Sequence, residues 1–283
     1  MEIENNNVIL VAYDFTAVGD LAIQNAINMA KIINYKVCVL HILNKVSLKN
    51  LQKNKETVES ITDKLEKLTG EIKKEHKIEA DFLIRKGSIF TSIAEVCKEI
   101  GTNLLVFGTH GKKGIQFLLG SFAMKLIKSC PVPVMVVQKP AVNVRFSDIV
   151  FPLNIEPGSK QKVKWALALH KQFNATIHLF IDSYPDEFIQ NRLRADLKQV
   201  KKILDKHQIK HTENFSPTKG NFSDNSVAFA KETNADMIMI STDPDKITWS
   251  LFGSHDERAI YNQERIPVMC INAQDLRVII GGL

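Results

Sequence analysis

The sequence predicts an α/β fold of two tandem domains, each a five-stranded, mainly parallel sheet flanked by helices. Three observations predict it. Short apolar runs alternate with amphipathic stretches of helical period, as in strands joined by helical crossovers. The same order of blocks then recurs, displaced by roughly 140 positions early and about 133 later. The length of 283 residues suits two ordinary domains, each able to bury a core.

Each element has its own signal. Residues 8–13 (VILVAY) form a buried strand that ends at Asp14, and an amphipathic helix follows over about 18–33. A second strand covers 37–43. In the charged stretch beyond it, Val58, Ile61, Leu65, Leu68 and Ile72 recur every three or four residues, the stripe of a helix lying on a sheet. A third strand, 80–85, runs towards Gly87, and a helix over about 89–100 precedes the strongest strand, 104–107. After a glycine-rich loop come a helix over 121–129 and a closing strand over 132–138. The strands are continuous apolar runs, which parallel strands buried on both faces require.

The repeat is legible in several blocks. VILVAYD at 8–14 matches DIVFPLN at 148–154, and Lys86-Gly87 matches Lys219-Gly220. LLVFGT at 104–109 matches MIMIST at 237–242, Gly120-Ser121 matches Gly253-Ser254, and VPVMVVQ matches IPVMCIN. The change in displacement places a longer connection in the first half, between about residues 43 and 86. The expected division is 1–140 and 141–283, at the segment KPAVNVRFS.

Composition excludes several classes. At 45% hydrophobic and 24% charged residues the balance is that of a globular chain, not a collagen, a disulfide scaffold or a disordered protein. The longest uncharged run, 100–111, falls short of the roughly 20 residues that span a bilayer. The N-terminus has neither a basic region nor a small-residue cleavage site, so no signal peptide is read and a cytoplasmic location is expected. The net charge of +6 comes with lysines interspersed among glutamates, without the basic stripe of a nucleic-acid binder. Cys38, Cys97, Cys130 and Cys270 show no metal-ligand or redox spacing and sit in apolar stretches, as small buried hydrophobes do.

The segment 104–121, LLVFGTHGKKGIQFLLGS, carries the chemistry. It leaves a buried strand and ends where a helix begins. Gly108, Gly111 and Gly114 permit close backbone approach. The helix start at Ser121 offers unpaired N–H groups and a positive dipole end, which suit a phosphate, and Lys112 and Lys113 add charge. Equally, Ser121 could simply cap its helix. The segment is neither a Walker loop nor the dinucleotide G-x-G-x-x-G fingerprint.

These motifs resemble the universal stress protein (UspA-like) superfamily in its tandem form. The carriers are Asp14, Val39-Leu40-His41-Ile42, Lys86-Gly87, Gly108-Thr109-His110-Gly111, Gly120-Ser121 and Cys130-Pro131-Val132-Pro133. The resemblance implies Rossmann-like (adenine nucleotide alpha hydrolase-like) domains. ATP-binding members carry G-x₂-G-x₉-G-[ST]; here eight residues, not nine, separate Gly111 from Gly120. The resemblance places Asp14 near ribose and adenine, with a loop cap as its other reading. Ile42 would pack on adenine and Ala12 beside the base. Phe107, Gly108, Gly111, Gly120, Ser121 and Phe122 would line the nucleotide and its phosphates. His110 would be a polar contact of the loop, without a catalytic role.

The second half departs at these positions. Gly108-Thr109-His110-Gly111 becomes Ser241-Thr242-Asp243-Pro244, and Asn154 replaces the acidic residue. Proline removes an N–H, and Asp243 and Asp245 repel phosphate. One nucleotide site per chain is therefore expected, in the first half. The ligand implied is ATP or AMP, with or without Mg²⁺. No general base is paired with a nucleophile, so the reading is a stress-response signalling protein with at most slow ATP hydrolysis. An adaptor or chaperone-like interaction protein without a nucleotide is the alternative. The resemblance also implies that the closing strands pair to form an internal pseudo-dimer, with further homodimerisation open.

Overall fold

Along the first strand Ile9 and Val11 point to one side of the sheet and Val8 and Leu10 to the other, and all four are buried. This two-residue alternation, apolar on both sides, dictates helices on both faces. The computed structural model describes residues 6–109, 121–138, 146–156, 158–160, 162–242 and 255–272. The first half runs β1 (Val8–Ala12), α1 (Ala17–Ile33), β2 (Lys36–Leu43), α2 (Lys45–Asn54), α3 (Val58–His76), β3 (Ala80–Lys86), α4 (Ile89–Glu99), β4 (Thr102–Gly108), α5 (Ser121–Ser129) and β5 (Val134–Val137). The second runs β6 (Asp148–Leu153), α6 (Val163–Phe173), β7 (Thr176–Ile181), α7 (Glu187–Lys206), β8 (His211–Phe215), α8 (Phe222–Glu232), β9 (Met237–Thr242), α9 (His255–Ile260) and β10 (Val268–Asn272).

The strands form one sheet in the order β3-β2-β1-β4-β5-β10-β9-β6-β7-β8. Every pairing is parallel except β5 with β10, where Met135 faces Met269 in antiparallel register. Each set of five has the same connectivity, and the two meet back to back. The closing strands therefore lie at the centre and cover each other, while β3 and β8 are the edges. Buried residues of α1, α3, α6 and α7 pack on one face of the sheet, and those of α4, α5, α8 and α9 on the other.

Local chemistry sets the boundaries. Thr16 caps α1 by accepting from Gly19 N at 3.1 Å, and Asn34 ends it in the left-handed conformation. Asp186 and Asn221 cap α7 and α8 in the same way. Gly87 and Gly220, matched in the repeat, both take positive φ (144° and 93°) just before α4 and α8, where a side chain would be strained. The fourth strand is longer than the apolar run alone suggests, beginning at Thr102. The closing strands are shorter, because Pro133 and Pro267 have no N–H to donate. Their carbonyls still accept from Leu105 and Ile238, each at 3.0 Å. The helix α2 was not expected.

Candidate functional site

From β1 the chain winds outward through β2 and β3 on one side, and through β4 and β5 on the other. The carboxyl ends of β1 and β4 are thus the topological switch point of the first five strands, where open α/β sheets bind ligands. Ala12 pairs in register with Phe107 across this point and with Leu40 on its other side. Ile42, two residues beyond Leu40, faces the same way. Ala12, Ile42 and Phe107 join one apolar cluster with Ile93 of α4 and Ala123 of α5. Three of the residues singled out from sequence are therefore brought together at the sheet's rim, with an apolar surface suited to a flat, uncharged ring.

Asp14 is exposed at the end of β1. Its Oδ1 accepts from Thr16 N at 3.1 Å and from Thr16 Oγ1 at 2.6 Å, so the carboxylate holds the turn into α1. That is the loop-cap role weighed for it in the sequence. The turn is clamped further by groups the sequence reading passed over. Phe15 adopts a positive φ of 60° and packs on Tyr13 and on His41, with ring centroids 4.8 and 5.0 Å away. His41 Nδ1 lies 2.8 Å from the Tyr13 carbonyl oxygen; since that oxygen can only accept, Nδ1 carries the proton. Burial holds the His41 pKa below its usual value. Tyr13 donates its hydroxyl to Asp20 at 2.7 Å, and its own pKa is pushed up, first by burial and then by that bond.

Gly108 has a tighter constraint than a ligand. A β-carbon there would stand 2.3 Å from Val18 Cγ1 and 2.5 Å from the Val18 carbonyl oxygen. The first turn of α1 occupies that space, so this glycine is required by helix packing. The next residue, Thr109, is fully buried, and its Oγ1 has no hydrogen-bond partner. His110, Gly111 and Gly120 lie outside the described residues. Of Ser121 and Phe122 the structure gives only the backbone, at the start of α5, as expected for a helix that opens after the loop.

The second half has its own crevice at the corresponding switch point, between β6 and β9. It is small, about 30 Å³, and is lined by Pro152, Asn154, Lys162, Phe222, Ser226 and Ser241, among others. Its polar groups already serve one another. Ser159 Oγ accepts from Asn154 N at 3.0 Å, and Ser226 Oγ donates to the Phe222 carbonyl at 2.7 Å. The Asn221 side chain takes the first N–H groups of α8. Lys162, only 2% exposed, donates to the Pro152 carbonyl at 2.5 Å and lies 4.4 Å from the Phe151 ring centre. Pro152 holds the repeat position of Ala12. The helix α6 begins six residues later, relative to the repeat, than α1 does, and Ser241 holds the repeat position of Gly108. The signal available in the sequence was Pro157-Gly158, a pair that marks turns and loops.

Among the described residues no group of three or more His, Cys, Asp or Glu could hold a metal ion, and no helix is long and apolar enough to cross a membrane.

Fold and crevice define a Rossmann-like α/β protein whose candidate ligand site lies at the switch point of its first five strands. Residues 5–138 match the model of the Universal stress protein family. Two solved structures resemble nearly all of it. A universal stress protein from Archaeoglobus fulgidus DSM 4304 is 17% identical, with 95% of this chain and 99% of that one covered and a TM-score of 0.76. A putative universal stress protein from Pseudomonas aeruginosa UCBPP-PA14 is 16% identical, with 97% and 96% covered and a TM-score of 0.68. At such identities the likeness establishes the fold. Among curated proteins none matches the chain significantly.

Proposed function

We propose that the first half, residues 1–140, binds ATP or another adenine nucleotide at the rim of β1, β2 and β4, and that binding serves as a signal in a stress response. The observation that carries this reading is the convergence of Ala12, Ile42 and Phe107 on one apolar surface at the switch point. The purine would lie on that surface. Asp14, exposed beside it, would face the ribose, and the loop from Gly108 through Gly111 to Gly120 and Ser121 would meet the phosphates with main-chain N–H groups. A nucleotide supplies charge and shape to this site; the chain's own residues bind and orient it.

The second half, residues 141–283, is proposed as the partner in an internal pseudo-dimer, a reading that the pairing of β5 with β10 supports. Its crevice is filled by Lys162 and self-satisfied hydrogen bonds, which supports a half that does not take a nucleotide. The test of the main reading is the nucleotide content of purified protein after heat release. ATP or AMP in the supernatant supports it. A nucleotide-free protein that also fails to bind added ATP or AMP overturns it.

The second reading, an adaptor without nucleotide, draws on two observations. Gly108 is explained by Val18, and Asp14 by Thr16, so two motif residues have structural roles of their own. Under that reading neither ATP nor AMP binds, and Asp14→Asn changes only stability.

A further inference from the structure

The first half buries two thiols against each other. Cys97, on α4, and Cys130, in the turn after α5, have their Sγ atoms 3.8 Å apart, with exposures of 0% and 1%. Their helices flank the same segment: α4 runs into β4, and α5 follows the glycine loop that β4 opens. From the Sγ contact we propose that Cys97 and Cys130 form a reversible dithiol–disulfide site, oxidised by small two-electron oxidants of the peroxide class. A disulfide brings sulfurs to about 2.05 Å, so each Sγ has less than 1 Å to travel.

Access comes from the Cys130 side. Cys130 lies just outside α5, and its N–H is held by the Leu126 carbonyl at 2.9 Å. Pro131 and Pro133, on either side of Val132, have no N–H to donate, and the Pro133 carbonyl accepts from Leu105 N at 3.0 Å. Opening this short turn exposes one thiol while the sheet stays intact. Oxidation then proceeds in two steps. The Cys130 thiolate attacks a peroxide oxygen, the O–O bond breaks, and the sulfenic acid forms with release of one water or alcohol. The Cys97 sulfur next attacks the Cys130 sulfur; the S–S bond forms, and the hydroxyl leaves with the thiol proton as water. Two electrons pass from the thiols to the peroxide. In the closed state the mutual hydrogen bond and burial hold Cys97 protonated, so reaction waits on opening and is slower than in an unfolded chain. Cys38, on β2, belongs to the same cluster.

The experiment treats the reduced full chain with hydrogen peroxide, alkylates remaining thiols under denaturing conditions, and maps the peptides by mass. The expected result is a fall from four alkylatable thiols to two, with one Cys97–Cys130 link that dithiothreitol reverses. Cys130→Ser should leave Cys97 fully alkylatable after the same treatment. Four thiols retained, a link through Cys38 or Cys270, or sulfinic acid at Cys97 or Cys130 without a link would overturn the proposal. The wild-type map decides even if the variant fails to fold.

Discussion

Val18 of α1 and Gly108 of β4 touch so closely that no side chain fits on the glycine: its β-carbon would lie 2.3 Å from the valine Cγ1 and 2.5 Å from the valine carbonyl oxygen. The first glycine of the G-x₂-G pattern is thus fixed by the packing of a helix end on the sheet. Backbone on both sides of the contact leaves little room to yield. Gly108→Ala should cost about 1–3 kcal/mol or more through overpacking. Urea unfolding checks this; an unchanged midpoint would show that α1 shifts freely.

Lys162 offers the converse test. Its ammonium bonds the Pro152 carbonyl and covers the Phe151 ring inside the second crevice. Lys162→Met keeps most of the stem's packing and leaves that carbonyl without this donor. The expected loss is about 1–3 kcal/mol, the cost of a buried polar group left unsatisfied. If the variant instead binds a second ATP, the lysine was all that closed the crevice.

His41 predicts a pH dependence. Burial lowers its pKa from the ordinary 6.5. As pH falls, the unfolded chain therefore takes up the proton before the folded one does. Stability due to this group is complete above about 6.5, declines as pH drops below that, and stops declining once the folded pKa is passed. The hydrogen bond to the Tyr13 carbonyl, and after it the Asp14 charge, oppose the shift and limit its size. His41→Gln should flatten the acid side of the stability profile, measured by urea unfolding across that range. A profile parallel to wild type would contradict the assignment.

Gly120→Asp adds bulk and negative charge where the phosphates are proposed to lie. It should abolish co-purifying nucleotide while circular dichroism remains that of the wild type. Undiminished retention in a folded variant would remove the phosphates from that loop.

The sheet was legible because each central strand is an unbroken apolar run, and because the repeat writes the pattern twice. The helix α2 was not, since among its described side chains only Leu51 is buried and Leu48 is 37% exposed. Its one usable signal was Asn44, whose Oδ1 accepts from Ser47 N at 2.9 Å as a cap does. In the site, Ala12, Ile42 and Phe107 came from the motif and do converge. What the sequence could not convey is contact at long range. The clamp of Tyr13, Phe15 and His41 joins β1 to β2, and Val18 reaches Gly108 across ninety positions. Neither has a local spacing to read.

The central claim is one adenine-nucleotide site per chain, in the first half. Isothermal titration of nucleotide-free protein with ATP, and separately with AMP, tests it most directly. The account expects one of them to saturate at one equivalent per chain in the wild type, with binding lost in Gly120→Asp and unaffected by substitution of Ser241. Two equivalent sites per chain, or no binding of either nucleotide, would contradict it.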